Sequence, residues 1–97
     1  MKTEILYSTD VEEEVDIDLL LKEIDVKKLI IHNDDVNTFD WVIQSLIEIC
    51  KHSPEQAEQC TYIVHYRGKC QVKNGPEEEI TRMCNAFLQR GIIATID

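Results

Sequence analysis

Glycine and proline are scarce in this chain. Only 3 Gly and 2 Pro occur among 97 residues, which excludes collagen-like and low-complexity architectures. Long apolar runs are also missing. The longest are of the order of Leu29–Ile31, far short of the roughly 20 residues needed to span a bilayer. The opening Met1-Lys2-Thr3-Glu4 lacks a secretory signal's apolar stretch and soon turns acidic, so a cytoplasmic location is expected. There is no basic excess: 19 acids face 10 bases, for a formal net charge of −9. A phosphate backbone or an anionic lipid surface would repel such a chain on average, so no nucleic acid and no membrane is expected as a partner.

Cysteine occurs at 50, 60, 70 and 84, but never as Cys-x-x-Cys, and none of the 3 histidines completes a zinc pattern. No metal is expected. In a reducing compartment the thiols stay free. Cys50 and Cys84 fall at helical core positions, as small apolar residues, while Cys60 and Cys70 remain undecided. Equally absent are a nucleophile motif around Ser or Cys and a glycine-rich phosphate loop. The expectation is therefore no catalytic residue, no cofactor and no enzyme.

What is present divides in two by charge. Residues 1–25 hold nine acids and two bases, and so most of the net charge. This stretch is expected to be an acidic, flexible N-terminal extension. Its cluster Ile17, Leu19, Leu20, Leu21 and Ile24 allows either a short helix or docking motif, or a solvated tail. Residues 26–97 are almost neutral and carry the patterning of a single small domain.

That domain begins with Val26–His32, a bounded β-rich run, which ends at the turn-favouring Asn33-Asp34-Asp35. Thr38 or Asn37 can cap a helix over about 38–51, with Val42, Leu46 and Ile49 on its core face beside Trp41 and Ser45. Ser53-Pro54-Glu55-Gln56 is a second helix start, a capping box with proline at the first helical position. This helix is predicted to reach about His65, with Ala57, Cys60, Tyr62, Ile63 and Val64 as its apolar face. Gly68 breaks it, and Lys69–Lys73 reads as a short strand. Asn74-Gly75-Pro76 is predicted to turn into a third helix whose first turn, Glu77-Glu78-Glu79, suits the helix dipole. Ile80, Met83, Cys84, Phe87 and Leu88 keep its period, Arg90-Gly91 closes it, and Ile92–Ile96 is the last strand. The predicted class is α+β in the order β-α-α-β-α-β: a three-stranded antiparallel sheet packed with three helices.

Two features carry potential chemistry. Asn33-Asp34-Asp35 is an acceptor-rich corner, which either serves the turn itself or receives a cation. His65 sits near a helix end, where an imidazole either caps the helix or exchanges hydrogen bonds at neutral pH. A hydrolase built on Asp34, Asp35 and His65, or a metal module on the same corner, are the enzyme and metal alternatives. So small a domain offers little of the cleft a hydrolase needs.

Taken together, Lys28-Leu29-Ile30-Ile31-His32-Asn33-Asp34-Asp35 followed by a helix resembles the first signature of the ClpS family. Ala57-Glu58-Gln59 with Val64-His65-Tyr66-Arg67-Gly68-Lys69 resembles the second, and Ile92–Asp97 the family's last strand. The likeness spans about 26–97 with the elements in order. It implies a fold of three antiparallel strands with three helices. It also implies an adaptor of the bacterial N-end rule, which binds proteins whose free first residue is Leu, Phe, Tyr or Trp. Such an adaptor passes its cargo to a Clp AAA+ unfoldase of the ClpA or ClpC type for degradation by ClpP. By position, the resemblance gives Asn33, Asp35 and His65 the substrate's α-amino group and Asp34 the first peptide groups. The side-chain pocket would be lined by Ile31, Asn37, Phe39, Val42, Thr61, Val64 and Ile92. In the family a flexible N-terminal extension helps delivery, a role that residues 1–25 match by location.

Two departures bear on specificity. Where the family usually has Tyr-Thr-Pro-Met, this chain has Val36-Asn37-Thr38-Phe39, which puts Phe39 at the methionine guarding the pocket mouth against β-branched residues. Thr61 stands where a second pocket methionine is common. The alternative function from the same resemblance is a regulator that binds the unfoldase and redirects its substrate choice without carrying cargo.

Overall fold

The computed structural model describes residues 26–97, together with the single position Ile17; the expectations for the stretch 1–25 lie otherwise outside the described residues. The elements are β1 (Val26–His32), α1 (Phe39–Cys50), α2 (Pro54–Arg67), β2 (Lys69–Pro76), α3 (Glu77–Gln89) and β3 (Ala94–Ile96). The sheet is antiparallel in the order β2-β1-β3. The α+β architecture of three strands and three helices is as the sequence predicts.

β1 is central, and its alternation decides the layering. Leu29 and Ile31 are completely buried, so they point to one face. That face, with Val72 and Ala94 from the flanking strands, meets Val42, Leu46 and Cys50 of α1, Ala57 and Val64 of α2, and Ile80, Cys84 and Phe87 of α3. Cys50 and Cys84 are buried core thiols, as their helical positions predict. Cys60 and Cys70 are half-buried and free.

The helix boundaries follow local chemistry. The Thr38 hydroxyl accepts the Trp41 amide at 3.1 Å and the Ser53 hydroxyl the Gln56 amide at 3.1 Å, each satisfying a donor that the first turn leaves open. Gly68 ends α2 at φ +91° while its amide donates to Val64 O at 2.9 Å. That left-handed conformation is costly for a residue with a Cβ.

Three expectations are corrected. First, β2 does not stop at Lys73. Asn74, Gly75 and Pro76 continue the ladder opposite Lys28, Lys27 and Val26, after a bulge that skips Val72. The turn into α3 is displaced to Pro76–Glu77 because β1 offers partners along its full length. Second, the last strand is Ala94–Ile96, not 92–96. The Ile92 amide is taken by Phe87 O at 3.0 Å, so this residue belongs to the closure of α3. Third, the buried stripe of α2 is Ala57, Thr61 and Val64. Tyr62 and Ile63 are 44% and 40% exposed, because α2 packs along a single i, i+4, i+7 line. On α1, Trp41 is 40% exposed and Ser45 fully buried.

His52, for which the sequence gives no context, is a buried clasp. Its Nε2 lies 2.8 Å from Val72 O, tying the α1–α2 corner to β2.

Candidate functional site

The two sequence signatures meet because β1 and β2 are paired. His32 lies opposite Lys69, and the Asn33 amide donates to Gly68 O at 2.9 Å. The turn after β1 therefore rests against the last turn of α2, which carries His65. Between them opens a cavity of about 320 Å³. Ile31, Val42, Val64 and Ile92 supply its apolar walls, and Asn33, Asp34, Asp35 and His65 supply polar groups. Asn37, Phe39 and Thr61 also line it, as do His32 and Thr38, for which the sequence gives no such role.

Thr61 suits an apolar wall although it is polar. Its hydroxyl donates to Ala57 O at 2.8 Å inside the helix, which removes the cost of burying it. Asn37 is not an apolar lining residue in the same sense. Its Nδ2 donates to Asp34 Oδ2 at 2.8 Å and to Gly91 O at 2.9 Å.

The two aspartates differ sharply. Asp34 is turned inward. Its Oδ1 accepts the Val36 and Asn37 amides at 2.8 and 2.9 Å, so the carboxylate builds the loop. The Asn37 amide foremost, with the Val36 amide and the Asn37 side chain, holds the Asp34 carboxyl below its ordinary value against the opposing effect of burial. These bonds therefore stabilise the fold above the usual carboxylate range, and that stability is lost as pH falls through the lowered value. In acid titrations of thermal stability, wild type and Asp34→Ala should differ at neutral pH and converge in strong acid. A constant difference would show that the carboxylate charge plays no part.

Asp35, Asn33 and His65 stand otherwise. All three are exposed, and among the described residues their side chains have no hydrogen-bond partner. His65 is nevertheless oriented. Phe39 lies edge-on to it at 5.1 Å between centroids and Tyr66 at 4.9 Å. Phe39 also meets Tyr62 edge-on at 5.3 Å, and Tyr62 stacks on Tyr66. Such contacts stabilise ring pairs in offset or edge geometries. The arrangement is thus an apolar hollow lined also by an amide oxygen, a carboxylate and an oriented imidazole.

Among the described residues no three His, Cys, Asp or Glu side chains are grouped to hold a metal ion, and no described helix is long and apolar enough to cross a membrane.

The model of the family "ATP-dependent Clp protease adaptor protein ClpS" matches residues 22–91. The ClpS adapter of Streptomyces coelicolor is 31% identical over 67 residues, 69% of this chain and 70% of that protein. That of Nitratidesulfovibrio vulgaris is 34% identical over 41 residues, 42% of this chain and 41% of its own. The solved structure of Agrobacterium tumefaciens ClpS2 bound to L-phenylalaninamide superposes with a TM-score of 0.65 at 15% identity, over 74% of this chain and 94% of that one, a likeness of fold. With the family model covering most of its length, and both signatures at one cavity, the chain belongs to the ClpS family of ATP-dependent Clp protease adaptors.

Proposed function

We propose that the cavity captures the first residue of a protein whose N-terminus is free and whose first side chain is bulky and apolar (Leu, Phe, Tyr or Trp). The chain then delivers that protein to a Clp AAA+ unfoldase for degradation by ClpP. It acts as a binder and catalyses nothing. The observation that carries this reading is the rim of unpartnered acceptors, Asn33, Asp35 and His65, around an apolar hollow. A free N-terminus is an ammonium with three donors beside a side chain, and it needs this combination of groups. The L-phenylalaninamide bound by the Agrobacterium protein has the same chemistry: a free α-amino group, an aromatic side chain and a following amide.

The magnitudes are consistent. Burying a Leu or Phe side chain gives about 1.5–3 kcal/mol, and each charge-assisted hydrogen bond about 1.5–3 kcal/mol. At the upper ends of these ranges, and less an association cost of about 4 kcal/mol, affinity is on the order of micromolar, weak enough for cargo to be released. Asp34 contributes by holding the loop, and the one acceptor site left on its Oδ2 is available to the first peptide groups.

The test is fluorescence anisotropy with a labelled peptide beginning with Leu or Phe and its N-acetylated twin. Acetylation removes the charge and leaves the acceptors unpaired, so only the free peptide should bind. Equal binding of both would remove the ammonium site. Binding of neither, with the chain folded, would favour the regulator that engages the unfoldase without cargo.

A further inference from the structure

Ile92, which lines the cavity, is preceded by Arg90 and Gly91, and this segment is held to the neighbouring elements mainly through side chains. Its own amides bond only within the closure of α3: Arg90 and Ile92 to Phe87 O, and Gly91 to Leu88 O, each at 3.0 Å. Its links to α1 and the turn before it run through side chains. Asn37 Nδ2 donates to Gly91 O at 2.9 Å, and Trp41 Nε1 donates to Arg90 O at 3.2 Å. The Arg90 side chain lies along the same stripe of α1. Its guanidinium sits 5.3 Å from the Trp41 ring centroid, bonds Ser45 Oγ at 3.2 Å, and pairs with Glu48 at 2.7 Å. Trp41, Ser45 and Glu48 are spaced i, i+4, i+7, so one face of α1 receives the whole arginine.

We infer that Asn37 and Trp41 latch this segment against the start of α1, and so set the width of the cavity and the ranking of first residues. Ile92, the next residue along, is 1% exposed and supplies one of the apolar walls. Its distance from α2 therefore follows from where Gly91 and Arg90 are held. Gly91 is at φ +81°, a conformation that lets its carbonyl face Asn37 without strain. Asn37 acts on both sides of the pocket at once, since the same Nδ2 also holds Asp34. Trp41 does not line the cavity, so any effect it has on selectivity must pass through Arg90 and Ile92. Both are positioning residues. With the latch open the wall relaxes outward, a loss for a small Leu and little or none for a large Trp.

This inference rests on the cargo-binding reading, and the experiment separates the two. Peptides beginning with Leu and with Trp are titrated against wild type, Asn37→Ala and Trp41→Phe, and amide hydrogen exchange at Gly91 and Ile92 is measured in the same proteins without peptide. Losing a net neutral hydrogen bond corresponds to about two- to tenfold in an equilibrium constant. Asn37→Ala should weaken the Leu peptide by about tenfold with the Trp peptide changed much less, and Trp41→Phe should move the same ratio in the same direction by about threefold. Both should speed exchange at Gly91 and Ile92. Equal losses for the two peptides would mean a merely structural role and would overturn the inference, as would unchanged exchange. If wild type bound neither peptide, the cargo reading and the selectivity would fall together, and exchange would still show whether the latch exists.

Discussion

Asp35→Ala and His65→Ala are each expected to weaken binding of a peptide with a free Leu or Phe N-terminus by about ten- to hundredfold, with the fold retained. The size follows from removing one charge-assisted hydrogen bond to an ammonium, about 1.5–3 kcal/mol. The retained fold follows from the position of the two side chains. Both are exposed, and no described residue depends on either for a hydrogen bond. His65→Ala also removes two ring contacts, from Phe39 and Tyr66, so its thermal midpoint should fall slightly more than that of Asp35→Ala. The measurement is a pair of titrations by anisotropy with parallel thermal melts. Loss of the folded state in Asp35→Ala would make the acidic corner a folding device. Full retained affinity would place the α-amino group elsewhere.

The same pair should respond differently from Asp34→Ala. There the loop loses three hydrogen bonds, so stability and binding should decline together. The contrast between neighbouring aspartates, one held inward and one free, is therefore measurable as two separate phenotypes.

Phe39→Ala should change selectivity more than any other single substitution. The ring lines the cavity and packs edge-on against both Tyr62 and His65. It is stiffer than a thioether, which adapts to irregular gaps. The proposed binding mode puts Phe39 at the cavity mouth, so removing it should open space for the branch that Ile and Val carry at Cβ. The affinity for Ile- and Val-initiated peptides, relative to Leu, should rise by about tenfold, the value of one or two methylene contacts. Absolute affinity for Leu should fall, because His65 loses one of its two supporting rings. Phe39→Leu should lie between the two. Competition among peptides that differ only in the first residue checks this. An unchanged ratio of Val to Leu would show that Phe39 does not meet the cargo side chain.

The ring cluster explains why Phe39 is hard to interpret from sequence. Local pattern at its position shows only an aromatic at the start of a helix, and its place at the pocket mouth came from the family resemblance alone. Its partners Tyr62 and His65 lie more than twenty residues away, on α2. The expected apolar face of α2 included Tyr62 and Ile63, whose hydrophobicity is compatible with burial. Which side of that helix is buried was decided by α1 and the sheet, and they selected Ala57, Thr61 and Val64. Thr61 escaped a periodicity reading because its hydroxyl is satisfied by its own helix, which makes it behave as an apolar residue.

Local rules were sufficient for much of this protein. The element order, the cap at Ser53, the choice of Thr38 or Asn37 as the other cap, the breaks at Gly68 and Gly91, and the core cysteines 50 and 84 are all written in neighbouring residues. Periodicity and capping act over a few positions and need no tertiary partner. Ile31, Asn33, Asp34, Asp35, Val64 and His65, which line the cavity, stood in two motifs. Two matters were decided only when the chain closed on itself. β2 extends to Pro76 because β1 presents partners there. Asn37 joins Asp34 to Gly91, across 54 positions of chain. Each depends on which groups lie opposite one another once the sheet has paired and the helices have packed, and hydrogen bonds at that range leave no trace in local composition.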